Sequence, residues 1–146
     1  MVRHRFARLA LATALALSSV GLVHGQALAV SCTGSGCNGT SPETTGCAAS
    51  AFTAATKNIV NGSGTVVGRI ELRMSSVCLT SWSRVTSLIG ATTIYEKIYD
   101  WFYPRTYTDT DYGATSGYSP QIYDPVSTDT WATGCVGSYC GGWASR

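Results

Sequence analysis

The sequence GTVVGRIELRMSSVCLTSWSR, residues Gly64–Arg84, decides the fold of this chain. In its centre, Arg69–Met74, three charged residues alternate with three apolar ones. Successive side chains of a β-strand point to opposite faces, so this segment predicts a strand with apolar residues toward a core and charges toward solvent. Cys78 and Trp82 follow within a few residues, and they predict a cross-link and a large buried ring at one end of that strand.

Signals on both sides of this strand predict a single, mainly β domain, a small disulfide-stapled sandwich or barrel with at most one or two short helices. The alanine-rich segment Cys47–Ile59 predicts one or two helical turns. The apolar residues of Thr86–Tyr103 fit a helix or a strand, and polar Thr106–Ser119 predicts a loop or an exposed hairpin. Gln121–Tyr123 predicts a short strand, and the glycine-rich Trp131–Trp143 predicts a cross-linked hairpin.

The first segment has the pattern of a secretory signal. Three arginines precede the uncharged apolar run Leu9–Val23, and small residues follow at Ala27 and Ala29. This run is too short and wrongly flanked for a membrane-spanning helix. We therefore expect residues 1–29 to be a signal peptide and residues 30–146 to be one secreted, extracellular domain with no membrane segment after cleavage. A cut after Gly25 is the alternative.

Removal of this segment changes the charge and the available chemistry. The whole chain has ten Lys and Arg against eight Asp and Glu, a net charge of +2. Three arginines leave with the signal, so seven basic residues face eight acidic ones, which argues against a nucleic-acid partner. His4 and His24 leave as well. Because no imidazole remains, Ser–His–Asp and Cys–His catalysis is excluded, and we expect no enzyme.

All six cysteines follow the predicted cleavage site, and an even number in an exported chain predicts three disulfides. They are Cys32, Cys37, Cys47, Cys78, Cys135 and Cys140. Spacing does not choose one pairing; we expect a local Cys135–Cys140 loop, with Cys78 tied back to the N-terminal cluster. Zinc binding by the same thiols would need a reducing compartment, so we expect neither a metal nor another cofactor.

The carboxylates show no diagnostic catalytic or metal-binding pair. Glu96 and Asp100 are four residues apart, would share one face of a helix, and are interpreted as solvated surface. Asp109–Asp111, beside Gly113, resembles part of a calcium-binding loop. The twelfth position of such a loop carries an acidic ligand, whereas Pro120 stands there in this chain. Two carboxylates converging across a cleft would be needed to support a glycoside hydrolase.

Seven tyrosines fall within Tyr95–Tyr123, with Trp101 and Phe102 among them. Aromatic rings supply large contact areas at low entropic cost, so an exposed cluster would bind a protein or a sugar. The alternative is that these rings form the core and strand faces of a small β domain. The predicted partner contacts are Tyr103, Tyr107, Tyr112 and Tyr118.

Three blocks of the sequence resemble the YjfA-like family, small exported domains of Gram-positive bacteria with no assigned function. The blocks are Cys32-x4-Cys37-x-Gly-x-x-Pro42-x4-Cys47, then Glu71-Leu-Arg73-x-Ser75-x-x-Cys78-x3-Trp82-x-Arg84, then Tyr118-Ser-Pro120 followed by Cys135 and Cys140. The chain departs from the family at Met74, where Tyr is usual, and over Ile94–Tyr112, which is longer and more aromatic.

The resemblance implies a compact, disulfide-bonded, mainly β domain and carries no catalytic motif. Similar proteins act as adaptors in secreted antibacterial toxin particles of filamentous bacteria, where they join a lectin-like subunit to a larger repeat scaffold. The sequence therefore predicts a non-enzymatic, secreted protein-binding module or adaptor. The alternative is a carbohydrate or cell-wall binding module that uses the Tyr- and Trp-rich segment.

Overall fold

A computed structural model of the chain describes residues 29–126 and 129–146. The predicted signal segment lies outside this range apart from Ala29. Two short 3-10 turns and nine strands are present in the described part. They are the turns Gly34–Cys37 and Cys47–Ser50, then β1 (Ala51–Val60), β2 (Val66–Ser75), β3 (Thr80–Ser87), β4 (Thr92–Asp100), β5 (Arg105–Ala114), β6 (Ser116–Tyr118), β7 (Ile122–Tyr123), β8 (Thr130–Val136) and β9 (Tyr139–Cys140).

The strands form two antiparallel sheets that pack face to face as a sandwich. Sheet A has the order β1-β2-β3-β6, and β7 also pairs with β3. Sheet B has the order β5-β4-β8-β9. The prediction of a mainly β, disulfide-stapled domain is confirmed, and the architecture is a sandwich.

The predicted central strand is β2, and its alternation is as expected. Ile70, Leu72 and Met74 are buried, and the first two pack in the core with Ile94 and Ile98 of β4 in sheet B. Full burial of such a side chain stabilises the fold by about 1.5–3 kcal/mol. Neighbouring hydrogen-bonded strands fix the register of β2, which places Ile70 and Leu72 in the core.

The helix predicted over Cys47–Ile59 is wrong beyond its first turn. Cys47–Ser50 is a 3-10 turn, after which β1 pairs along the whole of β2. Pairing with the strong central strand overrides the helical preference of alanine. The ambiguous segment Thr86–Tyr103 contains strand β4. The prediction of a loop or an exposed hairpin over Thr106–Ser119 is wrong, because this segment forms most of β5, which pairs with β4, and all of β6, which pairs with β3 in the other sheet. The short strand and the closing hairpin are confirmed as β7 and as β8–β9.

Residues 29–50 form an N-terminal cap over part of the outer face of sheet A. The disulfides are Cys32–Cys37, Cys47–Cys78 and Cys135–Cys140. The local C-terminal loop and the link from Cys78 back to the N-terminal cluster are thus as predicted. Fully buried Gln121 adds polar contacts, since its side-chain nitrogen lies 2.9 Å from the hydroxyls of both Thr40 and Thr45.

Across residues 29–126 and 129–146, no helix has the length and apolar character needed to cross a membrane.

Candidate functional site

The inward face of β4 alternates apolar and acidic side chains. Ile94, Glu96, Ile98 and Asp100 are all buried. The interpretation of Glu96 and Asp100 as a solvated pair on one helix face is therefore wrong. The segment is a strand paired on both sides, by β5 and β8, so every second residue points into the sandwich. Strand alternation, had it been preferred to the helical spacing, would have revealed this burial.

Glu96 is the most unusual side chain of the described structure. Its exposed fraction is 0%, and neither carboxylate oxygen has a hydrogen-bond partner among the described residues. Its cross-strand neighbour on β5 is Asp109, and Asp111 lies opposite Ile94 on the same inward face. Burial, followed by the charges of Asp111 and Asp109, raises the pKa of Glu96 from 4.5 to about 8. Glu96 therefore keeps its proton at neutral pH unless a nearby cation compensates the carboxylate charge in place of the proton.

Gly117 on β6 makes room for this arrangement. A Cβ built on Gly117 would collide with Oε1 of Glu96 and with Oδ2 of Asp111, and would lie 2.9 Å from the Glu96 carboxyl carbon. Both carboxylate oxygens thus converge on one point above the glycine and are close neighbours. Two like charges at such a separation cannot both persist in a buried position without compensation.

A cleft of about 480 Å³ opens beside this pair, between the N-terminal cap and strands β5 and β6. It is lined by Gly39, Ser41, Asp109, Asp111, Ser116, Tyr118 and Pro120. Burial, then the charges of Glu43 and Asp111, raises the pKa of the Tyr118 hydroxyl above its ordinary value. Asp111 therefore reaches solvent through the cleft, whereas Glu96 lies one layer beneath it.

The carboxylate pair does not have the access that hydrolysis requires. A general acid must come within about 2.6–3.2 Å of the proton acceptor on its substrate. Both oxygens of Glu96 are fully covered, so a substrate in the cleft would meet Asp111 and Asp109 but not Glu96. The raised pKa of Glu96 results from burial and from its neighbours, without a surface on which it could act.

The second unusual region lies on the outer face of sheet B, and we call it the aromatic face. It comprises Tyr95, Lys97 and Tyr99 of β4, Trp131 of β8, and Trp143 near the C-terminus. The cross-strand pair Tyr99–Trp131 and the bridge between Ala132 and Ala144 bring three of these rings together. Trp131 and Trp143 are 36% and 41% exposed, so residues 29–126 and 129–146 leave this face partly uncovered.

The rings of the aromatic face pack against one another at tilted angles. The centroids of Trp131 and Trp143 are 6.0 Å apart with planes at 59°, and those of Tyr99 and Trp143 are 6.4 Å apart at 50°. The ammonium of Lys97 lies 5.5 Å from the Trp143 ring centroid, within cation–π distance. These contacts preorganise a contiguous apolar surface with one positive charge.

The four tyrosines predicted as partner contacts do not share one surface. Tyr103 is 59% exposed in the turn after β4, and Tyr112 is 81% exposed near the other end of β5. Tyr107 faces inward, packs against the core, and has its ring over Gly39 of the cap. Tyr118 lines the cleft. The sequence reasoning missed the aromatic face because two of its rings, Trp131 and Trp143, are contributed by distant segments.

The charged residues of the resemblance blocks lie on the outer face of sheet A, partly beneath the cap. Glu71 forms an ion pair with Arg84 of β3 at 3.8 Å and accepts a hydrogen bond from Thr53 at 2.9 Å. Arg73 of β2 donates a hydrogen bond to the Thr53 hydroxyl. These contacts join β1, β2 and β3, and Trp82, which is 3% exposed, lines a small cavity with Glu43 and Ala48 of the cap.

Fold, disulfides and surfaces define a small cross-linked β-sandwich with an acidic cleft and an exposed aromatic face. Comparison with known proteins gives its family. Residues 35–132 match the family described as "Protein of unknown function (DUF2690)". The chain is also 32% identical over 108 residues to the uncharacterized protein YjfA of Bacillus subtilis (strain 168), covering 66% of this chain and 69% of YjfA. No solved structure matches.

The chain therefore belongs to the YjfA-like family of unknown function, DUF2690.

Proposed function

We propose that this protein is a non-enzymatic, secreted protein-binding module that contacts its partner through the aromatic face. The observation that carries the proposal is the exposure of Trp131 and Trp143 on an otherwise regular sheet. Contiguous apolar patches on a small protein mark interaction sites, and Trp and Tyr dominate the residues that carry binding energy.

Ring geometry favours a protein partner over a carbohydrate. Stacking on a flat sugar needs ring faces that are open to solvent, whereas Trp131 and Trp143 contact each other with their planes at 59°. Two rings packed at an angle to each other form an uneven apolar surface, which suits a pocket of a folded partner better than the flat face of a sugar. The Lys97 ammonium over Trp143 adds a charge that favours a partner with an acidic rim.

An adaptor needs two contact surfaces, and a second apolar surface is present at the turn after β4. Trp101, Phe102 and Tyr103 are each at least half exposed, and the Phe102 and Tyr103 rings touch edge to face at 4.8 Å. The Asp100 carboxylate accepts hydrogen bonds from the backbone N–H groups of Phe102 and Tyr103, at 2.9 and 3.0 Å, which fixes the turn. The family resemblance implies the two partners of such an adaptor, a lectin-like subunit and a repeat scaffold of a secreted antibacterial toxin particle.

The test is affinity capture from the culture medium of the producing organism, with tagged protein as bait and mass spectrometry as readout. We expect the parent to retain at least one protein that Trp131→Ala/Trp143→Ala loses. Tyr112→Ala, which removes an 81% exposed ring outside the aromatic face, is the matched control and keeps the partner. Recovery of the bait alone, or capture unchanged in the double variant, contradicts the proposal.

Sedimentation with purified peptidoglycan separates the carbohydrate alternative. Binding to the polysaccharide that depends on Trp131 and Trp143, without a protein partner, would assign the same face to cell-wall recognition instead.

A further inference from the structure

We propose that the carboxylates of Glu96 and Asp111 bind a hard divalent cation, calcium foremost, beside the cleft that Asp109 also lines. The sequence predicted no metal, because Asp109–Asp111 lacks the later ligand of a linear calcium loop. Strand pairing supplies what the linear sequence lacks, since β4 brings Glu96 opposite Asp109. This inference rests on the acidic cleft and is independent of the function proposed for the aromatic face.

The environment of Glu96 is unusual for a buried carboxylate. A fully buried carboxylate normally has hydrogen-bond donors or a positive charge as partners. Both oxygens of Glu96 lack a hydrogen-bond partner among the described residues, and the described ion pair, Arg84–Glu71, does not involve the acidic group. Oε1 of Glu96 converges with Oδ2 of Asp111 above Gly117. A cation between these oxygens would satisfy both carboxylates at once.

The cleft gives a cation access to the carboxylates and offers further oxygen ligands. The cleft of about 480 Å³ reaches Asp111 and Asp109 from solvent. Hydroxyls of Ser41, Ser116 and Tyr118 line the same cleft, and it has room for water. Calcium accepts six to eight oxygen ligands in irregular geometry, whereas magnesium requires a near-ideal octahedron, so a cleft of mixed oxygens suits calcium. Sites of extracellular modules typically bind calcium with a Kd of about 10⁻⁴–10⁻³ M.

The experiment uses the whole disulfide-bonded protein after chelation, titrated with calcium by calorimetry and with terbium by luminescence sensitised through Tyr118 at the cleft. We expect one ion per chain, a rise in Tm with calcium, and a smaller effect of magnesium. Glu96→Gln and Asp111→Asn should each weaken binding at least about tenfold, because each removes a charged ligand. Glu43→Gln removes one exposed charge near the cleft and should change the affinity by less than about twofold.

Two results would overturn the site. One is the absence of saturable binding and of any change in Tm at millimolar calcium, which would leave a shared proton as the compensating charge. The other is parental affinity in both Glu96→Gln and Asp111→Asn, which would assign the ion to the surface. Glu96→Gln keeps the size and shape of the buried side chain and is expected to fold, and Asp111→Asn gives a second, independent measurement at the rim of the site.

Discussion

The acidic cleft and the aromatic face depart in opposite directions from the usual distribution of polar and apolar groups. Beneath the cleft, Glu96 is a buried ionisable side chain that has no hydrogen-bond partner among the described residues. On the outer face of sheet B, Trp131 and Trp143 are apolar rings left in solvent. Buried polar groups and exposed apolar patches are the informative exceptions in a folded protein. Each region lacks a complement of a different kind, a small positive charge in one case and a large apolar surface in the other.

Trp82 shows what the chain does when it covers an aromatic ring itself. Like Trp131, it lies on the outer face of a sheet, but it is only 3% exposed and lines a small cavity together with Glu43 and Ala48 of the cap. The difference between these two tryptophans indicates that covering an outer face is possible in this fold, and that the described residues leave sheet B open.

The largest expected effect is that of Trp82→Ala. Loss of this ring leaves a void beneath the cap and should lower the free energy of unfolding by about 3–5 kcal/mol. Chemical denaturation of the oxidised protein measures it. A loss below about 1 kcal/mol would show that Trp82 is not packed by the cap, and the contrast with Trp131 would disappear.

The next effect is a pH dependence that originates in Glu96. Its pKa is about 8 in the folded protein and 4.5 in the reference state, so unfolding releases a proton between these values. In the presence of a chelator, stability should therefore fall as the pH rises from about 4.5 to about 8 and then level off. The full shift corresponds to at most about 5 kcal/mol.

Glu96→Gln should flatten this profile and be more stable than the parent at pH 8, because the amide has no proton to release. Denaturant midpoints from pH 4 to 9 provide the measurement. An identical slope in the variant and the parent would assign the pH dependence to another group.

Gly117→Ala tests the close approach of the two carboxylates. The new Cβ would collide with Glu96 and Asp111, and overpacking of this kind costs about 1–3 kcal/mol. It should also weaken calcium binding, since both ligands are displaced. Gly62→Ala is the control, because a Cβ there meets nothing within 4 Å. Equal stability of the two variants would mean that the oxygens do not converge above Gly117.

The smallest expected effect on stability belongs to Trp131→Ala. The ring is 36% exposed, and its removal should cost less than about 1 kcal/mol while abolishing partner capture. Thermal unfolding of the variant, beside the capture assay, gives both readouts. A loss comparable to that of Trp82→Ala would identify Trp131 as a structural ring instead of a binding residue.

Local pattern predicted the fold better than it predicted either region. The alternation of Arg69–Met74 gave β2 and its buried face, and cysteine number and position anticipated the disulfides. The alanines of β1 predicted a helical turn that is absent, since pairing with β2 outweighs their helical preference.

The two regions depend on contacts between distant segments, which the linear sequence does not show. Glu96 approaches Asp111 because of the β4–β5 register and the absence of a side chain at Gly117. The aromatic face needs β8 beside β4 and the C-terminal residues beside β8. Neither the spacing of Glu96 and Asp100 nor the run of tyrosines carries that information.

The N-terminal cap has a fixed position relative to the aromatic face. Cys47–Cys78 fastens it to the turn between β2 and β3, on sheet A, while the aromatic face belongs to sheet B. The cap and the exposed tryptophans consequently belong to different sheets of the sandwich. Immobilising the protein through the cap would present those rings outward, toward whatever binds them.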